Sequence, residues 1–317
     1  DGSKIVGAIR GRDAIYVWTD TALFIMRFVG PPFTFSFQQV GTNCGLIGQN
    51  AAVEVDGTAY WMSENGFFRY TGKLESLPCL VEDHVYDDIN TIPKQHINAG
   101  LNNLFGEVSW FYCTAASDQI NRVVTYNYLD STTKQPIWTT GTLARTAWQD
   151  SAVFNKPHAT YYGSNDDASF DVTGNTQGST IYYSQETGTD EVNAGNISVA
   201  IPAFILSGDF DITQRRSNTG QVVGTPDLRG DGEYMMRVSR FIPDFITQTG
   251  STTVSLISRA YPNSTPTTKD FVIDSSKTFQ STRIRARSVA LKISNTAINQ
   301  DWKLGTFRLD IAPGGMR

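Results

Sequence analysis

Short runs of β-branched and aromatic residues recur along the chain, each closed by a cluster of Gly, Asn, Asp, Ser or Thr. That alternation is the pattern of strands and tight turns, and helical periodicity is almost absent. The clearest stretch runs from Ala51 to Leu77. Ala51–Val55 reads as a strand, Asp56-Gly57 as a type I′ hairpin turn, and Thr58–Met62 as the returning strand. Ser63-Glu64-Asn65-Gly66 then turns the chain into Phe67–Tyr70, and Thr71-Gly72 turns it into Lys73–Leu77. Short antiparallel strands joined by minimal turns make a meander, the unit of a propeller blade.

The flanks carry the same theme. Upstream, Ala14–Thr19 and Ala22–Val29 pair about Thr19-Asp20, and Phe33–Val40 follows Pro31-Pro32. Downstream, Val108–Cys113 and Arg122–Tyr128 pair across Ser117-Asp118-Gln119, with Ile137–Thr140 as a third strand. Pro157–Tyr162, Ser169–Val172 and Ile181–Ser184 predict another sheet with longer turns. The groups recur about every 40–50 residues, the period of blades. A short helical connector is expected near Glu82–Asn90, where Val81, Val85, Tyr86 and Ile89 share one face.

Ser164 to Gly195 is rich in turn formers and reads as exposed loops. Beyond about Val199 the strands lengthen: Glu233–Phe241, Thr252–Arg259, Phe271–Ile273, Arg283–Ser294 and Thr306–Ile311, with Arg215–Gly224 and Tyr261–Lys269 as connections. The expected fold is all-β. Propeller blades over residues 1–200, part of a larger propeller, precede a further β-rich region over 201–317.

Composition narrows the class. The chain has 317 residues, 26 Lys plus Arg against 31 Asp plus Glu, and a net charge of −5. Charged residues are 18% and aromatics 12%, which argues for a packed core and against disorder. The acidic balance argues against a general electrostatic grip on nucleic acid. No apolar run reaches the length of a membrane-spanning helix; Val199 to Leu206 is a long one and contains Pro202. Asp1-Gly2-Ser3-Lys4 has no initiator Met or basic leader and reads as the interior of a longer product. Cys44, Cys79 and Cys113 show no C-x-x-C spacing and are expected to be reduced thiols.

Motifs that carry chemistry are missing. There is no G-x-S-x-G, Walker loop, G-x-G-x-x-G after a strand, or H-E-x-x-H, and no cofactor is expected. His84 lies beside Glu82, Asp83, Asp87 and Asp88, which reads as a cation site or, more simply, as a solvated acidic connector; His96 and His158 stand apart. Carboxylates are plentiful enough for a glycosidase pair, but nothing in the sequence selects two. Asp209 and Asp211 read as solvent-facing positions on a strand edge, and Arg229-Gly230-Asp231 as a turn. Trp61, Phe67, Phe68 and Tyr70 suit either a sugar platform or, more simply, packing between sheets. Arg283, Arg285 and Arg287 alternate, so a strand would present all three on one face. They form either a contact for phosphate or an acidic partner, or the solvent face of a strand whose Ile284 and Ala286 pack inward.

Two resemblances follow from these residues. Ser164-Asn165-Asp166-Asp167-Ala168-Ser169-Phe170 is loosely similar to the aspartate box of sialidase propellers, with Ala168 where that box has glycine. More extensively, the chain resembles the tail nozzle (hub) proteins of short-tailed bacteriophages, some of which are called packaged-DNA stabilisation proteins. The residues are Gly30-Pro31-Pro32-Phe33-Thr34-Phe35, Val40-Gly41-Thr42-Asn43-Cys44-Gly45-Leu46, and the hairpin from Val55-Asp56-Gly57 to Gly66-Phe67-Phe68. Phe105-Gly106-Glu107-Val108-Ser109-Trp110-Phe111-Tyr112, Val123-Val124-Thr125-Tyr126-Asn127-Tyr128 and Gly141-Thr142-Leu143-Ala144-Arg145-Thr146-Ala147-Trp148 continue it. The similarity spans Val6 to Trp148 well and Trp302-Lys303-Leu304-Gly305 to Pro313-Gly314-Gly315 less so.

The resemblance implies a propeller-based virion subunit of the phage tail, made in the host bacterial cytoplasm and expected not to be an enzyme. It implies a homo-oligomeric ring, a hexamer, under the portal and adaptor proteins, docking tail fibre or needle proteins. Double-stranded DNA would pass through its channel during ejection without sequence readout and with no small-molecule substrate. It also implies that the chain is a C-terminal portion of a longer protein. The alternative expectation is a propeller that binds or cleaves host glycans, as a receptor-binding protein or glycosidase. Convergent carboxylates and exposed aromatics in one place would mark it.

Overall fold

The computed structural model describes residues 2–132, 135–151, 154–163, 179–186, 188–192, 198–212 and 234–316. The fold is all-β, as expected, and divides into two compact units, Asp1–Thr187 and Gly188–Arg317. The aspartate-box-like stretch, the strand Ser169–Val172, the connection Arg215–Gly224 and the Arg229-Gly230-Asp231 turn lie outside the described residues.

The first unit holds successive antiparallel meanders of the propeller-blade type. The first is β1 (Ile5–Arg10), β2 (Ile15–Thr19), β3 (Ala22–Gly30) and β4 (Thr34–Thr42). The second is β5 (Ala52–Val55), β6 (Thr58–Ser63), β7 (Gly66–Tyr70) and β8 (Leu74–Leu77). The third is β9 (Asn98–Asn102), β10 (Glu107–Tyr112), β11 (Arg122–Thr132) and β12 (Gln135–Gly141). A three-stranded sheet follows: β13 (Ala147–Gln149), β14 (His158–Gly163) and β15 (Ser179–Ser184). Their opening strands start 47, 46 and 49 residues apart. Asp56 and Gly57 take φ of 49° and 86°, the double positive φ of a type I′ turn. The sequence reading did not find β1 and β9. Ile5–Arg10 is broken by Gly7, and Asn98–Asn102 is mostly small and polar, so neither shows a β-branched run. The expected connector forms as one short helix, α1 (Glu82–Tyr86), which buries Val85 and lets the Tyr86 hydroxyl donate to the Ser63 carbonyl at 2.7 Å.

Tryptophans join these sheets. Trp18 (β2), Trp61 (β6) and Trp110 (β10) are fully buried. Trp61 Nε1 donates to the Cys44 carbonyl at 2.8 Å, Trp110 Nε1 to Ala51 at 3.0 Å, and Trp148 Nε1 to Leu101 at 2.8 Å. Each acceptor lies in the preceding sheet or in the segment leading from or into it, so these three indoles each bring apolar area and one directed bond across a joint, whereas Trp18 brings area alone, its Nε1 being buried with no hydrogen-bond partner among the described residues. Trp18 packs on Trp61 (ring centroids 5.3 Å), Trp110 on Phe67 (5.0 Å) and Trp148 on Phe111 (5.6 Å). Gly45 makes one joint possible: a Cβ there would stand 2.1 Å from the Asp20 carbonyl oxygen.

The second unit opens with the ribbon β16 (Asp190–Val192) and β17 (Ser198–Ala200). Its remaining strands are β18 (Ala203–Leu206), β19 (Tyr234–Thr249), β20 (Ser251–Arg259), β21 (Thr267–Asp274), β22 (Gln280–Ala286), β23 (Ser288–Asn295) and β24 (Asp301–Met316). They form two sheets, ordered β18-β23-β20-β21 and β22-β19-β24. Both close on one core of Met236, Val238, Phe241, Val254, Leu256, Ile284, Val289 and Ile293. The single strand expected over Arg283–Ser294 is corrected: it breaks at Arg287, where the chain leaves one sheet and enters the other. The inward positions are Thr282, Ile284 and Ala286 before the break and Val289, Leu291 and Ile293 after it. The side-chain phase therefore slips by one residue, which a continuous strand does not allow.

Two substitutions test the joints by thermal denaturation. Gly45→Ala is expected to destabilise by about 1–3 kcal/mol or more, because two backbones must separate to admit the methyl group. Trp110→Phe is expected to cost about 0.5–1.5 kcal/mol by removing one of the two hydrogen bonds to the Ala51 carbonyl, which keeps the Met62 N–H.

Candidate functional site

The first hairpin of each meander turns at a common end of the first unit. Arg10, Gly11 and Arg12 of the β1–β2 turn line a shallow cleft of about 460 Å³ with Glu54, Asp56 and Gly57 of the β5–β6 hairpin. Asp56 and Asp150 both act on Tyr128 of β11, whose phenol is raised by burial first and by these two charges after it. The Tyr128 hydroxyl donates to Asn103 Oδ1 at 2.8 Å, and the Asn103 backbone N–H donates to Asp150 Oδ1 at 3.3 Å. This end thus gathers carboxylates from several turns of the meanders.

Two of them come close enough to influence each other. Glu107 opens β10 and stands in register between Asn102 of β9 and Asn127 of β11. Half-burial raises its carboxyl above the usual range, and the negative charge of Glu186 raises it further. Glu186 sits in the turn after β15 with φ of 58°. Asn102, 6% exposed, donates through Nδ2 to Glu186 Oε1 at 3.5 Å. The Oδ1 of Asn102 is buried with no hydrogen-bond partner among the described residues. A carboxyl that holds its proton more tightly beside a second carboxyl is an arrangement suited to dividing acid from base work. The sequence carries no short signal for this pair, because the two residues are brought together only by the fourth sheet.

The sequence-predicted residues fall elsewhere. Arg283 and Arg285 lie on the exposed face of β22, with Ile284 and Ala286 buried behind them. Arg287 is corrected: it occupies the bend between β22 and β23, so it does not continue their row. Trp61, Phe67 and Tyr70 are buried and Phe68 stacks on Trp61 at 5.8 Å, so this group is core between sheets. Asp209 and Asp211 lie outside any strand; Asp209 pairs with Arg259 at 2.8 Å and accepts from Ser288 at 3.1 Å. His84 lies on α1, His96 in a 3-10 turn and His158 on β14. Among the described residues no group of three His, Cys, Asp or Glu gathers as a metal site.

Residues behind the tail-protein resemblance do structural work at the joints. Arg145, 7% exposed, lies over the Tyr183 ring at 3.9 Å, and its carbonyl accepts from Asn98 at 3.0 Å. Trp148 stacks on Phe111 three residues further on in the same motif. Cys44, Cys79 and Cys113 are free thiols. Burial pushes Cys79 up to about 12 and Cys113 up to about 11.

No protein-family model matches the chain, and no curated protein matches it. Among solved structures, the chain is similar to an engineered GH43 glycoside hydrolase with endo-xylanase and exo-arabinofuranosidase activity. Identity is 10%, TM-score 0.31, and the alignment covers 98% of this chain and 78% of that one. A second glycoside hydrolase aligns at 11% identity and TM-score 0.28 over 96% of this chain and 83% of its own. The exo-β-1,3-galactanase of Phanerochaete chrysosporium aligns at 10% identity and TM-score 0.27, over 94% and 78%. The likeness concerns β architecture and transfers no residue, substrate or activity. The expectation that the chain is not an enzyme is corrected to this extent, that it draws no support from these structures, which are glycoside hydrolases. Missing motifs were a poor ground for that expectation, because carboxylate pairs converge in space and leave no short signature.

Two measurements check the chemistry of this unit. Glu107 is raised in the folded state, so the folded chain binds more protons above the ordinary carboxylate range, and stability falls as pH rises through that window. Glu107→Gln is therefore expected to melt higher than wild type at neutral pH, with the advantage vanishing below that range. The thiols are expected to resist alkylation at pH 8 in the folded chain and to react promptly once it is denatured.

Proposed function

We propose that the chain is a structural subunit of a multi-copy β assembly, and within that class a component of a bacteriophage tail. It would act as a nozzle or hub ring around a channel for double-stranded DNA, next to portal and adaptor proteins and to fibre or needle proteins.

One observation carries this reading. In the second and third meanders both faces of the second strand are buried: Tyr60, Trp61 and Met62 on β6, and Trp110, Phe111 and Tyr112 on β10. The first meander buries Tyr16, Trp18, Leu23 and Ile25 on one face only. Its other face follows from the register: Ile15 opposes Met26, Val17 opposes Phe24, Met26 opposes Phe37 and Phe28 opposes Phe35. Phe28, Phe35 and Phe37 are 71%, 47% and 64% exposed, and the Phe28 and Phe35 rings already pair at 5.9 Å. A continuous apolar sheet face in water is a protein-binding surface. Elsewhere in this unit such faces are covered by another antiparallel sheet, and a sheet of the assembly is the cover it fits. The net charge of −5 suits a conduit wall that does not hold the phosphate backbone.

A second reading rests on the Glu107–Glu186 pair, which suits acid-assisted cleavage of a glycan. Light scattering and electron micrographs of the purified chain separate the two. The assembly reading expects concentration-dependent multimers, and a shift to smaller species for Phe28→Ser/Phe37→Ser with unchanged β content. A chain that stays monomeric at every concentration overturns it. The glycan reading expects hydrolysis of oligosaccharides that Glu107→Gln lowers by about a hundredfold or more.

A further inference from the structure

The joint between the third meander and the β13-β14-β15 sheet ends in oxygen atoms. Trp148 of β13 lies against Gly100 of β9, where a Cβ would stand 2.6 Å from the indole. Asn102, two residues further along β9, points to the same face. It stands directly opposite Glu107 of β10, and such facing residues have Cβ atoms about 4.5–5.5 Å apart. From the other sheet comes Glu186, whose Oε1 accepts from Asn102 Nδ2 at 3.5 Å. Two carboxylates carried by different sheets therefore flank one amide.

That amide is left half satisfied. Asn102 is 6% exposed, and its Oδ1 is buried with no hydrogen-bond partner among the described residues. Asn98 Oδ1 and Thr282 Oγ1 share this condition, but only Asn102 has its side chain bonded to a carboxylate. Turning the amide over gives no relief, since it sets Oδ1 against Glu186 Oε1, acceptor against acceptor. Nor is either carboxylate answered by a base: the ion pairs among the described residues are made by other side chains. Asn127, on the far side of Glu107, is engaged elsewhere, its Oδ1 accepting from the Leu129 and Asp130 amides and its Nδ2 donating to Phe105. Burial, and after it the charge of Glu186, raises the Glu107 carboxyl, as befits an acid with no cation beside it.

We propose that Asn102 Oδ1, Glu107 and Glu186 hold a calcium ion that ties the third meander to the sheet after it. The donors are hard oxygens without nitrogen or sulfur, which suits calcium or magnesium and not zinc or copper. Calcium is the better match, because the donors come from three separate elements and calcium accepts irregular shells where magnesium demands an octahedron. The amide carbonyl serves as third ligand where the described residues offer no third carboxylate. With two charged ligands and water completing the shell, the dissociation constant falls at about 10⁻⁴–10⁻³ M. This site rests on neither reading above: it leaves self-association untouched, and a cation on both carboxylates replaces their use as acid and base.

Calcium chloride titrated into the full chain, first stripped with EGTA, tests it by calorimetry and by thermal melting. Wild type is expected to take up about one calcium per chain and to melt higher as the ion saturates the site. Glu186→Gln is a mild change in an exposed turn, and its amide oxygen still accepts from Asn102. It is expected to melt like wild type in EGTA and to bind calcium about tenfold more weakly or worse. Glu107→Gln removes one of two like charges, so it is expected to melt at or above wild type in EGTA and below it in calcium. That reversal of order is a result no merely structural role for Glu107 produces, and its EGTA arm shows that the variant folds. Magnesium chloride is expected to act at least tenfold more weakly than calcium. The calcium site is overturned if wild type shows neither heat nor a melting shift up to about 10 mM calcium. It is overturned equally if both Gln variants respond as wild type does, which puts the ion elsewhere. Magnesium acting as strongly as calcium also overturns it, by reducing the effect to general screening of the net charge of −5.

Discussion

Everything in the first unit depends on indole rings that serve two sheets at once. A four-stranded meander has two faces and cannot cover either by itself, so its stability is borrowed from its neighbours. Trp61, Trp110 and Trp148 meet that constraint in one way, filling the joint with ring area and aiming Nε1 at a carbonyl across it. The directed bond matters as much as the area. It satisfies an indole N–H that would otherwise stand unpaired inside the joint and fixes how far the sheets slide past each other.

Much of this was readable in residue order, and the parts that were not have definite causes. The second meander announced itself through Asp56-Gly57 and Ser63 to Gly66, where turn chemistry and strand pattern agree. β1 and β9 were silent because their pairing comes from neighbouring strands and not from their own composition. Arg283 and Arg285 were legible as a pair by their period of two, with Ile284 and Ala286 behind them. Arg287 was misassigned because the phase slip is visible only when Val289 and Ile293 are read against Thr282 and Ile284. Glu107 and Glu186 had no sequence signal, lying 79 positions apart by their numbering in elements joined only by folding.

The two units solve their charge problem differently. In the second, Arg240 and Arg308 on the long β19–β24 ladder each have a carboxylate on the facing strand. In the first, acidic groups stand beside Arg10 and Arg12 where hairpins turn, because turns favour Asp and Asn side chains, and Glu54 at the end of β5 adds another by accepting from the Gly57 N–H at 2.6 Å. Turn chemistry repeated in successive meanders thus builds a charged rim as a by-product of making hairpins.

The bend at Arg287 carries a further implication. Only one residue separates β22 from β23, and those strands belong to different layers around one core. No slack exists at that corner. A pull on either layer is passed to the other through the backbone itself, so the second unit should yield to force as one body instead of peeling sheet by sheet.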